Sequence, residues 1–588
     1  MGRTIKTVER LDDTDPTKDI VMHYEYDIRG NLIKVLDPYN RTVFTYRYNY
    51  ANQPLYTEHI DSGVSRVVYD AMGKPVIATD AKGAQSLNTF DGMNRPLSAW
   101  AKDKTGASTT LRQYVVYGDA AGLSNPENNN LNGQPYKHYD EAGLTEFTAY
   151  DFKGNLLTKS RQVISDATLK TVFNGPPPNW DVTPYTVDWT GLNTSILDTA
   201  VFTTDMAYDA LNRVTEMELP QNVNSQRKKV TPTYNTAGAL EAIDYDGTQY
   251  VSEIAYNAKG QRLLIAYGNE IMTRYAYDPL TFRLQRYRSE RFSKSTSGNQ
   301  TTYTPQSGTA RQDLTYSFDL VGNILTTDER ITDCGISGTT AGANQLIRQF
   351  TYDPIYRLLS ATGRESNTQN KNDYLYTNVP IPNTPNSSNV RVYTRSYQYD
   401  KLGNVEQVDH SANSNNFTRN FNYNSGVNTL SNIETGSGTN IQSFTYDAAG
   451  NQLTAGTSRH YIWNAANQLK AYCNQVGTAE PTVYAQYLYD AGGNRVKKLV
   501  RNQGGNYATI VYLDGMFEPA KRLAKTAKNK RFAEQYHKLE STSTLEKNET
   551  HIMDNRSRIA VIRDGDSFPN DIDAEYYVLE DHLGSGML

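Results

Sequence analysis

One five-residue signature recurs along the chain and limits its fold more than any other feature. It consists of an aromatic residue, Asp or Asn, two variable residues, and then Gly or Asn. It starts at Tyr26, Tyr48, Tyr69 and Phe90, at spacings of 22, 21 and 21 residues. It returns at Tyr139, Tyr150, Tyr208, Tyr234, Tyr256, Phe318, Tyr399, Tyr446, Trp463 and Tyr489. The copies singled out as structural turns are Tyr26, Asp27 and Gly30; Tyr69, Asp70 and Gly73; Tyr150, Asp151 and Gly154; Tyr399, Asp400 and Gly403; Tyr446, Asp447 and Gly450; and Tyr489, Asp490 and Gly493. Tyr277-Asp278 and Tyr352-Asp353 open degenerate copies, with Thr281 and Tyr356 where the turn residue belongs. A repeat of this period cannot bury a core alone, so neighbouring copies must stack into an array.

Each copy predicts a tight turn. Asp favours the first turn position because its carboxylate accepts hydrogen bonds from the turn backbone, and Gly or Asn tolerates a positive φ at the fourth. Alternating residues flank the turn, as in His23-Tyr24-Glu25-Tyr26 before it and Leu32-Ile33-Lys34-Val35 after it. The unit is therefore a β-hairpin, and the fold all-β. The chain holds 44 Tyr against 16 Phe and 4 Trp, and only 38% of its residues are hydrophobic. Strands such as Thr42-Val43-Phe44-Thr45-Tyr46-Arg47-Tyr48 carry polar groups on both faces. That pattern predicts one continuous sheet over 1–588, wetted on both sides and held by cross-strand Tyr and Thr pairs, in place of the four domains its length suggests. Irregular insertions are expected near 175–200, around Gly175-Pro176-Pro177-Pro178-Asn179-Trp180, and near 293–311, 365–390 and 518–550. The stretch 293–311 is expected as an exposed loop. The basic run Lys521–Arg531 fits a solvated loop or hairpin better than an anion-binding patch.

Candidate chemistry is sparse. A net charge of −5 gives no general attraction to nucleic acid, and no apolar run reaches the roughly 18 residues of a spanning helix. Cys334 and Cys473 sit in no metal-ligand spacing and are expected as unpaired thiols. None of the eight His has another three or four residues away, so no metal or cofactor site is predicted. There is no nucleophile elbow or phosphate-binding loop, and no catalytic residue is assigned. The repeat aspartates are expected to form turns; glycosidase carboxylates and calcium ligands are the less favoured readings. Asp581-His582-Leu583-Gly584-Ser585 gathers Asp, His and Ser in one turn, too close in sequence for a triad. The start, Met1-Gly2-Arg3-Thr4-Ile5-Lys6, shows no apolar signal-peptide region.

The repeats resemble the YD repeats of the RHS family, which includes toxin-complex B and C components and the SpvB-associated insecticidal toxins. The resemblance is carried by Gly133–Gly143, Tyr150–Leu157, Tyr256–Arg262, Tyr275–Leu284, Ala361–Glu365, His551–Asp554 and Asp581–Ser585. It implies a spiral sheet of stacked hairpins forming a hollow shell around a C-terminal toxin. It also implies that 576–588 begins the family's core segment. The family's aspartate self-cleavage motif is expected beyond Leu588, so the chain is expected to be non-enzymatic and a fragment or one half of a split system. The implied partners are an enclosed effector polypeptide and a second shell chain or translocation component, with no nucleic acid and no membrane span. The implied place is secreted or at the cell surface, within a larger assembly. Two readings from other classes remain: a surface adhesin or carbohydrate-binding protein, and a shell whose self-cleavage is supplied by a further C-terminal core.

Overall fold

The computed structural model describes residues 2–175, 178–298, 300–367, 387–436, 440–514, 532–540, 544–554, 557–568, 571, 573–583 and 586–587. The chain forms two compact units, residues 1–64 with 253–450 and residues 65–252 with 451–588. Both are built almost wholly of antiparallel strands in which each pairs with its neighbours in sequence.

In the first unit, Ile20–Tyr26 pairs with Leu32–Leu36, which pairs with Thr42–Tyr48 and so on to Pro54–His59. Val390–Tyr399, Val405–Ser411, Phe417–Tyr423 and Leu430–Thr435 continue the same meander later in the chain. Tyr ladders form on its strands: ring centroids lie 6.2 Å apart for Tyr275 and Tyr287, and 6.2 Å for Tyr287 and Tyr316. Hydroxyl pairs cross the strands too, Thr351 with Ser360 and Ser317 with Thr326, each at 2.6 Å. These are the cross-strand pairs that stabilise a sheet short of aliphatic core.

The second unit departs from a sheet wetted on both faces. Residues 164–175 and 178–197 leave the ladder as a strap of one short helix, Asp166–Lys170, with 3-10 turns and extended chain. Ile164, Leu169, Val187 and Trp189 from this strap pack with Leu488, Leu499 and Val511 of the strand array in one buried cluster. A strap outside the ladder must find partners for its own peptide groups, and side chains of the strands supply them. The Tyr484 hydroxyl donates to Val182 O at 3.0 Å, and Gln486 Oε1 accepts from Tyr185 N–H at 2.9 Å. Gln486 Nε2 donates to Leu169 O and Gln475 Nε2 to Asn179 O. Composition concealed this core because its two halves lie about 300 residues apart in sequence.

Two expected insertions are regular. The stretch 293–311, read as a loop, contains most of a hairpin: Leu284–Ser297 pairs with Gln300–Pro305. Its Ser and Thr residues favour an exposed strand edge as readily as a loop, and Thr has high β propensity. Within 518–550, Phe532–Glu540 pairs with Thr544–Met553 and with Tyr507–Asp514. The basic run Lys521–Arg531 and most of 365–390 lie outside the described residues. Glu575–Tyr577 pairs with Ala560–Ile562, while Gly584 and Ser585 fall outside the described residues.

Candidate functional site

The repeat turns share one geometry. In the first, Gly30 N–H donates to Asp27 O at 3.0 Å, closing a β-turn, and Asp27 N–H donates to Asn31 O at 3.0 Å. Gly30 sits at φ +94°, and the strand register shifts between Glu25 and Tyr26. This is a three-residue hairpin loop whose last residue forms a left-handed bulge. Asp27 Oδ1 accepts from Arg29 N–H and Asn31 N–H, both at 2.9 Å, and Oδ2 accepts from the Asn31 amide at 2.9 Å.

The other five turns repeat it. Asp70 Oδ1 accepts from Met72 and Lys74 N–H, and Gly73 N–H donates to Asp70 O. Asp151 accepts from Lys153 and Asn155, with Gly154 closing the turn; Asp400 accepts from Leu402 and Asn404, with Gly403 closing. Asp447 accepts from Ala449 N–H and Gly450 closes its turn at 3.1 Å. Asp490 accepts from the main chain and side chain of Asn494, and Gly493 closes at 3.0 Å. The same turn occurs without an aromatic at Asp37…Asn40 and Asp80…Gly83. Requiring an aromatic first missed these; Asp-x-x-Asn/Gly alone would have found them.

The degenerate copies reach the left-handed residue by other means. Tyr356 itself adopts φ +71° and donates its N–H to Asp353 O. After Tyr277 the loop gains one residue, so that Phe282 takes φ +60° and donates to Asp278 O. Tyr139 is a different case. Its strand and the next are joined by only Glu141 and Ala142, with Asp140 opposite Gly143. Asp140 still caps Ala142 and Gly143 N–H, and Arg161 clasps its carboxylate with two nitrogens.

The aromatic residue has a role that spacing alone did not show. Its hydroxyl reaches back to the preceding hairpin and donates to a main-chain carbonyl at the start of that hairpin's outgoing strand. Tyr48 bonds Leu32 O at 2.8 Å, Tyr234 bonds Val214 O at 3.0 Å, and Tyr352 bonds Ile324 O at 2.9 Å. Tyr399 bonds Leu358 O at 2.8 Å and Tyr489 bonds Leu469 O at 2.7 Å. Trp463 substitutes its indole N–H, donating to Gln452 O at 2.7 Å. Tyr26 and Tyr150 make equivalent bonds to Thr4 O and Pro135 O. Burial pushes the phenols of Tyr150 and Tyr489 up to about 12, so both remain donors. The repeat is thus a turn plus a clasp.

Each turn carboxylate is consumed by its own backbone. Asn31's amide, with backbone N–H groups, holds the Asp27 carboxyl below its usual value. For Asp151, burial acts upward but the Asn155 and Lys153 donors outweigh it. Among the described residues no group of three or more His, Cys, Asp or Glu is placed to hold a metal ion. Cys334 and Cys473 are both free thiols. Sequence reasoning did not anticipate two polar clusters. His410 lies 3.0 Å from Glu365, which also holds Arg391, and His537 lies 3.4 Å from Glu549, which also holds Lys547.

No family model matches the chain. Two proteins of Yersinia entomophaga do, Toxin subunit YenC2 and Toxin subunit YenC1. Each is 28% identical, over 541 and 550 residues, which is 85% and 88% of this chain and 52% of each relative. The chain is RHS/toxin-complex-like. It spans about half the length of the curated relatives it matches. The crystal structure of TcdB2-TccC3 aligns over 97% of this chain and 26% of that one, at a TM-score of 0.78 and 23% identity. A structure of the Photorhabdus luminescens Tc holotoxin pore aligns over 99% of this chain and 26% of that one, at a TM-score of 0.79 and 23% identity. At that identity the likeness establishes the fold. No described helix is long and apolar enough to cross a membrane.

Proposed function

We propose that this toxin-complex-like chain is wall material: a non-enzymatic segment of a shell that sequesters an effector polypeptide before delivery. The observation that carries the reading is the turn-and-clasp repeat. Where the signature opens on Tyr or Trp, as at Tyr48, Tyr234, Tyr399, Trp463 and Tyr489, it joins one hairpin to the next by hydrogen bonds that need no deep apolar core, which is how a thin wall is extended. The relation to toxin subunits over 85% of the chain supports the same reading. Partners of this wall are the enclosed polypeptide and further shell or translocation chains, in a secreted or surface assembly.

The wall's task is physical. A polypeptide kept unfolded needs a surface that offers hydrogen bonds without a fixed interface, and strands bearing Tyr, Thr and Asn side chains offer that. The test is protease protection of an unfolded reporter fused after Leu588 and produced with the companion shell chain. The reporter is expected to survive digestion until urea opens the shell. A reporter cut as fast as the free polypeptide contradicts the proposal.

A further inference from the structure

The strap is anchored by an unusual pair. Lys497, on strand Arg495–Asn502, leaves only 1% of its side chain exposed. Its Nζ donates to Ile164 O at 2.6 Å and lies 2.7 Å from Asp166 Oδ1. Asp166 Oδ1 is itself buried. Asp166 Oδ2 accepts from the Thr509 hydroxyl at 3.0 Å. Lys497 stands opposite Val511 in the strand register, and Leu499 stands opposite Thr509. The pair therefore sits beside the apolar cluster of Ile164, Leu169, Leu499 and Val511.

We propose that Lys497 and Asp166 condense into an intramolecular isopeptide bond that staples the strap to the sheet. Lys497 Nζ attacks the Asp166 carboxyl carbon, a C–N bond forms, and the C–O bond to Oδ1 breaks. The ammonium gives up two protons to the departing oxygen, which leaves as water. One positive and one negative charge vanish together, so atoms and charge balance with no oxidant, reductant or co-reactant. Thr509 holds the oxygen that remains, where negative charge develops during attack.

Three features favour the reaction here. An amine fixed against a carboxyl oxygen stands in near-attack range of the adjoining carbon. A buried ion pair carries a large desolvation cost, which a neutral amide removes. Burial also pushes the Lys497 amine down, toward the neutral nucleophile, although the Asp166 charge opposes this. The neighbouring buried lysines are held differently. Lys470 faces Asp103, whose carboxylate also binds Arg112 and the Ala465 N–H. Lys547 is shared between Glu549 and Asp571.

Peptide mass mapping of the purified full chain tests the staple. The expected product is one linked peptide pair joining Lys497 to Asp166, lighter by one water than its two parts. Asp166→Asn is expected to give the same linked pair with ammonia lost from the protein in place of water, and Lys497→Arg to give none. Separate peptides of full mass from the folded wild-type chain overturn the proposal. So does a water lost without the linked pair, as a succinimide elsewhere would produce. Because the wild-type result decides alone, a variant that fails to fold leaves the test intact.

Discussion

Tyr489 shows what one residue contributes to the repeat. Its hydroxyl bonds Leu469 O across two hairpins, so Tyr489→Phe is expected to cost about 1 kcal/mol in urea unfolding, a typical net hydrogen bond. Tyr50 is 92% exposed, and Tyr50→Phe is expected to leave the unfolding midpoint unchanged. Gly154 sits at φ +84°, so Gly154→Ala is expected to cost roughly 1–2 kcal/mol through left-handed strain. The turn carboxylates set an acid limit. Asp27 and Asp151 are held below their usual values in the fold. Their stabilisation is therefore present above the unfolded value, near pH 3.9, and fades as pH falls through the folded values. A stability curve measured by circular dichroism is expected to drop below about pH 4, and a flat curve from pH 5 to pH 2 would contradict this role.

At the scale of elements, legibility followed distance along the chain. The Tyr26-Asp27-Ile28-Arg29-Gly30 turn could be read because Asp27 bonds residues two and four positions away. The clasp could not, since Tyr399 finds Leu358 only once the hairpins have stacked. The stretch 293–311 was misread because Ser, Thr and Gln weigh equally as loop and as exposed strand, and the pairing of Thr296 with Thr301 decided between them. The strap was legible as an irregular insertion near 175–200 but not as part of a core, because Trp189 looks isolated until Leu499 and Val511 arrive from the far end of the chain. Trp189 is fully buried, packs on Tyr139 at 5.0 Å and donates its indole N–H to Asp140 O. Trp189→Ala is expected to cost about 3–5 kcal/mol. Hydrogen exchange is expected to show protection lost through 164–197 while the strands of the first unit keep theirs.

For the whole molecule, the Tyr-rich, aliphatic-poor composition has two explanations with different consequences. Part of it is the clasp and the cross-strand ladders, which serve any extended sheet. The rest follows from the proposed role, a wall with water or an unfolded chain against it. Buried aliphatic clusters exist, and one in the second unit forms where the strap covers the strands. A solid protein of this size would concentrate its mass near the centre, whereas a wall places it at the periphery. Small-angle X-ray scattering of the chain assembled with its companion shell chain separates the two most directly. The account predicts a pair-distance distribution whose maximum lies beyond half the largest dimension, as for a hollow body. A maximum below half, with the radius of gyration of a compact globule, would contradict it.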